Sequence, residues 1–481
     1  MNIHEIAKKA VAMPDRSGFS SAPNVSFRHS NNVGIFLKSF FEKLNRRRAR
    51  YCVLHGYEGL PDYAPSDVDM AVASEHLQLA EDMIFETARN LEFRVVQKLY
   101  YDIPRCFYYV VAFRDENGHP GVIQIDILND DPGIGRYLLP TETLLTRTRE
   151  FKGFRIPSSP VEACYLLIKK IVKGVWLPEH EKKFRIILRD DSPAARAFMK
   201  QIFGNNGMTV IDKLLDETDR KRKNFFLQEL RRILFLRYTL LKPRRTIVQA
   251  IWLVKRILER LAEPTGLVVV LVAPDGGGKS TIADHLLQRL GFAFRNITRM
   301  HWRPYLLPPP RKLLRPGTWY EPETPNHTPH DSQANGKLNS LIRFGYYAMD
   351  YLMGFLPKIL WPKIRTHLVM IERYYYDFLI DRKRYRLDIP DFLPELVMHL
   401  IPHPDLIFLL SGSPETIHAR KQEISLDEIS RQLVVIESLA VRIPNAHFID
   451  IDQPLESEVT QIEDIILKTL QSRLLKQRGH R

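Results

Sequence analysis

The chain has 481 residues, too many for one hydrophobic core, so two or three domains are expected. Hydrophobic residues make up 44% and charged residues 26%, a balance that excludes wholesale disorder. The formal net charge of +14 suits ligands rich in phosphate, although most of these charges are expected on a solvated surface.

Met1 to Asn31 is polar, lacks the apolar core of a signal peptide, and reads as the start of a loose tail, residues 1–32. A mixed α+β segment is expected over 33–150. Tyr51 to Leu54 reads as a short buried strand, and Val68, Met70 and Val72 alternate with Asp69 and Ala71 as a strand would. Ser74 is placed to cap a helix with Leu77, Ala80, Ile84 and Ala88 on one face. Cys106 to Phe113 and Gly121 to Leu128 are strand-like runs joined by a turn at Asn117-Gly118. The three cysteines, Cys52, Cys106 and Cys164, are odd in number and far apart. They indicate neither a disulfide framework nor a zinc knuckle, which suits a reducing cytoplasm.

Residues 151–262 read as a basic helical segment. Ala163, Leu166, Leu167, Ile168 and Ile171 share a face beside Lys169, Lys170 and Lys173, and a basic cluster follows at Arg220 to Lys223. Residues 263–481 alternate apolar strands with amphipathic helices, the pattern of an α/β domain with a parallel sheet. The apolar runs are Leu267 to Ala273, Leu368 to Ile371, Leu406 to Leu410 and Phe448 to Ile451. A proline-rich insert, Arg303 to Asn335, interrupts them and is expected to be a substrate lid or disordered. Tyr346 to Trp361 is the most apolar stretch. Asp350, Pro357 and Lys358 interrupt it, so it predicts a buried or interfacial helix and not a membrane span.

The strand Leu267 to Ala273 runs directly into Pro274, Asp275, Gly276, Gly277, Gly278, Lys279, Ser280 and Thr281, and a helical pattern follows. Strand, glycine loop and helix together make a phosphate cradle. Backbone N–H groups can wrap the phosphates where no Cβ blocks them, and the helix N-terminus adds partial positive charge. Lys279 can reach the β- and γ-phosphates of ATP, and Ser280 can ligate Mg²⁺. Ala273 stands where the first glycine of this motif is usual.

Over residues 266–475 the order of motifs resembles the thymidylate kinase family of P-loop kinases. The resemblance implies that Asp275 contacts the acceptor's sugar and that His301-Trp302-Arg303-Pro304 is an acceptor loop. Glu372-Arg373-Tyr374 resembles that family's Asp-Arg-Tyr motif, with Glu372 near Mg²⁺ or the acceptor and Arg373 clamping the acceptor phosphate. Pro404-Asp405 and Pro414-Glu415 resemble the next signature, and Arg420 to Glu423 would then lie in a lid over ATP. Because the loop itself carries no arginine, Arg420 is the first candidate for the transition-state cation. Asp381 to Arg386 reads equally well as a solvated charge run.

Upstream, His55-Gly56-Tyr57 precedes Asp67-Val68-Asp69, and Asp126 sits in an apolar strand. Asp67 and Asp69 share a strand face, and Asp126 on a neighbouring strand would complete a divalent-metal site. Residues 45–130 thereby resemble the nucleotidyltransferase superfamily, with Tyr57 in place of the usual serine.

The expected protein is therefore a cytoplasmic, ATP- and Mg²⁺-dependent kinase acting on a nucleotide or a related small metabolite. A nucleotidyltransferase-like domain precedes it, and a homodimer is compatible with the reading. Similar sequences also resemble kinases of bacterial surface-polysaccharide gene sets. The alternatives are a polynucleotide-end kinase gripping RNA or DNA with its basic helices, and a non-catalytic ATP-binding scaffold. Nucleic acid is the less favoured partner, because Tyr100, Tyr101, Tyr108 and Tyr109 read as strand residues and not as a stacking platform.

Overall fold

The computed structural model describes residues 31–64, 66–100, 105–129, 139–237, 243–308 and 336–479. Most of the expected tail and most of the proline-rich insert lie outside the described residues. The chain divides into two compact units. One comprises residues 31–258 with 470–479, and the other residues 259–469.

The first unit is built on a mixed five-stranded sheet. Its strands are β1 (Tyr51–Val53), β2 (Val68–Val72), β3 (Arg94–Tyr100), β4 (Cys106–Arg114) and β5 (Pro120–Leu128). They lie in the order β1-β2-β5-β4-β3, and only the β2–β5 pair is parallel. The expected turn is present: Gly118 takes φ +79°, and the Asp115 side chain accepts from the Asn117 and His119 amides. A short hairpin, β6 (Thr148–Phe151) and β7 (Phe154–Pro157), follows.

The two-residue period of a strand divides the sheet's side chains between two cores. Val53, Met70, Tyr109, Ile125 and Ile127 point to the face covered by helices Asn31–Arg46 and Leu77–Asn90. Cys52, Ala71, Cys106 and Leu128 point to the other face, covered by helix Ser159–Lys173 and the helices that follow as far as Leu234. The sheet and the basic helices thus share one compact unit. Ser74 does not cap a helix. It opens a short 3₁₀ turn, and its hydroxyl bonds Asn129 Oδ1 at 3.1 Å.

The second unit carries β8 (Leu267–Val272), β9 (Asn296–His301), β10 (His367–Glu372), β11 (Leu406–Ser411) and β12 (Ala446–Asp450). All pairs are parallel, in the order β12-β11-β8-β10-β9, which makes this an α/β fold with β8 at the centre. Every residue of β8 is buried, as a central parallel strand requires. The helix Lys279–Leu290 buries Ile282, Leu286 and Leu290 on the face expected from their spacing. At the foot of the sheet, Asp405 accepts from the Val268 amide at 2.7 Å and from Lys363 Nζ at 2.7 Å. This carboxylate joins two strands at the end opposite the glycine loop.

Candidate functional site

The glycine loop leaves β8 at its C-terminal end and delivers Lys279 to the first position of a helix. Gly276 takes φ +90°, and a Cβ there would meet the Ile417 carbonyl oxygen at 2.6 Å, so both backbone and space demand glycine. Gly277 is excluded from carrying a side chain for a different reason. Its Cβ would lie 2.6 Å from the Ala273 methyl group. Lys279 is buried and donates to the carbonyls of Ala273 at 2.8 Å and Pro274 at 2.7 Å. Burial, reinforced by the Arg373 charge, pushes its ammonium pKa down to about 8. Thr281, the third residue of this helix, is exposed.

Asp275 is the anionic hub of this region. The guanidinium groups of Arg373 and Arg384 bond its two carboxylate oxygens, and Lys279 Nζ lies 3.8 Å away. Burial opposes its ionisation, but Arg373, Lys279 and Arg384 outweigh burial and hold the carboxyl well below the usual carboxylate range. Arg373 also donates to Asp377 at 3.2 Å, and the Tyr385 hydroxyl bonds the same Asp377 oxygen. Burial works against the Arg373 charge, and Asp377 and Asp275 outweigh it, so the guanidinium stays protonated. Both Arg373 (φ +81°) and Tyr374 (φ +59°) leave β10 in the left-handed region. Non-glycine residues adopt it at a cost, and such strain gathers at functional positions.

A second cluster adjoins the first. The Ser280 hydroxyl donates to Glu372 Oε2 at 2.5 Å, and Arg299 reaches Glu372 Oε1 at 2.8 Å. Arg299 also holds Asp284 at 2.5 Å. His301 Nδ1 lies 4.0 Å from Glu372, and burial, reinforced by Arg373, lowers its pKa. Ser280 and Glu372 together offer hydroxyl and carboxylate oxygens of the kind Mg²⁺ takes. Arg420, at the end of the helix Pro414–Arg420, donates to the Ile451 carbonyl at 2.8 Å. Its Nη1 would lie 3.8 Å from a Cβ at Gly278. Arg420 therefore flanks the loop.

Arg303 lies in the segment that directly follows β9. It is buried, donates to Asp350 Oδ2 at 2.8 Å and to the Leu307 carbonyl at 2.9 Å, and lies over the Tyr305 ring. It braces the segment after β9. Beside it, Trp302 stacks on Tyr385 with ring centroids 4.5 Å apart. Arg299 and Arg384 are the cations that sequence reading missed. Arg384 lay inside a run that reads as solvated surface, and only the fold brings it to Asp275.

The first unit has its own cluster. Asp67, Asp69 and Asp126 each offer a carboxylate oxygen, all within 4.8 Å of one another. Asp69 and Asp126 are register partners across the parallel β2–β5 pair, on the sheet face covered by helix Ser159–Lys173. That helix supplies Lys169, whose Nζ lies 3.2 Å from Asp69, and His55 Nε2 lies 2.5 Å from the same carboxylate. Burial opposes ionisation of Asp69, but His55 and Lys169 outweigh it and hold the carboxyl well below its usual range. Gln124 donates to Asp126 at 3.0 Å. The Tyr57 hydroxyl donates to Glu162 at 2.6 Å.

No family model matches the sequence, and no curated protein matches it significantly. Among solved structures, a thymidylate kinase from Ehrlichia chaffeensis is similar at 14% identity and a TM-score of 0.29, over 43% of this chain and 100% of that one.

Proposed function

We propose that the second unit is an ATP-dependent kinase that phosphorylates a nucleoside monophosphate or a related small phosphorylated metabolite. One observation carries the reading. The glycine loop that follows the central strand puts Lys279 at a helix N-terminus, and Glu372 ends the adjacent strand β10 with Arg373 directly after it. Ligands of open parallel sheets bind at these carboxyl ends. In this reading the loop amides and Lys279 hold the ATP phosphates, Arg420 faces the transferring group, and Arg373 orients the acceptor phosphate. Mg²⁺ held near Ser280 and Glu372 would neutralise phosphate charge. The acceptor is identified by a phosphotransfer screen with labelled ATP against nucleoside monophosphates, sugar phosphates and oligonucleotides. Transfer to none of them, with ATP still bound, would instead identify a nucleotide-binding scaffold.

The Arg373 assignment has a separate test. Arg373→Lys keeps the charge but loses the planar fork that engages two oxygens at once. The acceptor KM should rise roughly tenfold while the ATP KM changes little. An unchanged acceptor KM would remove Arg373 from the clamp role.

A second reading concerns the first unit, and the convergence of Asp67, Asp69 and Asp126 favours it. We infer a nucleotidyltransferase-like centre in which these carboxylates would hold a divalent cation that binds a triphosphate. Tyr57 is engaged by Glu162 and does not supply the hydroxyl that the superfamily's serine offers.

A further inference from the structure

We propose that the outer face of helix Lys337–Gly354, continued through the π-helical turn Phe355–Leu360 to Trp361, docks onto an anionic lipid bilayer surface. The inner face of this helix packs Phe344, Tyr347 and Tyr351 into the core of the second unit. Its outer face is apolar where a solvated face would be polar. Leu338 is 71% exposed, Ile342 63%, Leu356 63%, and Met349 and Met353 51% each. Leu341 and Leu352 stand at the margins, also exposed. At about 100° per residue these seven positions fall within an arc of roughly 120°, a continuous stripe along about 27 Å of helix. Single exposed apolar residues are ordinary, but a contiguous stripe marks a partner.

The charges on the same segment indicate which partner. Lys337, Lys358 and Arg365 of the same segment are exposed. The sequence from 337 to 365 contains one acidic residue, Asp350, which is buried and bonded to Arg303 and to the Tyr305 and Leu307 amides. The segment therefore offers water cations and apolar surface and no exposed acidic side chain. A second copy of the same segment would bring further cations and no exposed carboxylate to pair with them. An anionic headgroup layer over an acyl region complements both features, and Trp361, exposed at one end, is a residue type that favours that boundary. No described helix is long and apolar enough to cross a membrane, so the contact is peripheral. This inference stands apart from the kinase reading, because the stripe contains none of the residues assigned to that site.

The test is co-sedimentation of the full chain with vesicles of phosphatidylcholine alone and with roughly one-third phosphatidylglycerol. The parent should bind the anionic vesicles about tenfold more tightly than the neutral ones, and added salt should weaken that binding. Met349→Glu with Met353→Glu should lower anionic-vesicle binding at least roughly tenfold, with circular dichroism and phosphotransfer in vesicle-free solution unchanged. Should that pair fail to fold, Lys337→Glu with Lys358→Glu, both on exposed positions, should produce the same loss. Equal binding by parent and folded variant overturns the proposal. So does a parent indifferent to lipid charge, including the case where light scattering shows that the methionine changes convert a dimer to monomers.

Discussion

Lys279→Ala is expected to reduce phosphoryl transfer roughly a thousandfold or more, because it deletes the cation facing the β- and γ-phosphates. Among the described residues, Lys279 bonds the Ala273 and Pro274 carbonyls of its own loop and pairs with Asp275 at 3.8 Å, so circular dichroism and cooperative unfolding should persist. Parallel measurement of kcat/KM and of thermal unfolding separates lost chemistry from lost fold. A folded variant with full activity would remove the second unit from consideration as a kinase.

The second large effect is expected at the three carboxylates of the first unit. Like charges this close are costly unless cations compensate them, and Lys169 and His55 lie beside Asp69. The full chain should bind Mn²⁺ there in the absence of nucleotide, read by electron paramagnetic resonance. Asp67→Asn with Asp69→Asn should remove one bound ion per chain. Metal-free stability should fall by about 1–3 kcal/mol, because the change strips a charged partner from Lys169 and His55. Identical Mn²⁺ titrations for parent and variant would show that the cluster holds no cation.

How much of this was legible in the sequence follows from how far apart the cooperating residues lie. The glycine loop could be read because strand, loop and helix start are contiguous. The parallel sheet could be read because β8, β10 and β11 are buried on both faces and so appear as unbroken apolar runs. Asp67, Asp69 and Asp126 were legible because the strand period puts each on a definite face. β3 was missed: its pairing with β4 shifts register between Val95 and Gln97, which breaks the alternation that marks a strand. Lys169 was read as one of several lysines beside an apolar helix face, and its approach to Asp69 depends on that helix crossing the sheet. Arg384 and Arg299 reach the loop only through tertiary structure. Arg303 lies next to the site in sequence, but its partner Asp350 is on a helix beyond the proline-rich insert, so its bracing role could not be anticipated.

The close approach of Ala273 and Gly277 ties the histories of two positions together. A glycine at 273 would vacate the space a methyl group at 277 needs, leaving the Pro274 carbonyl oxygen, 3.1 Å from that point, as the remaining obstacle. The departure from the usual first glycine is thus not a free substitution. It commits residue 277 to glycine, and a lineage could relax the second position only after reverting the first. Tolerance at either site is conditional on the other, so a single-site scan of this loop would record Gly277 as invariant for a reason located four residues upstream.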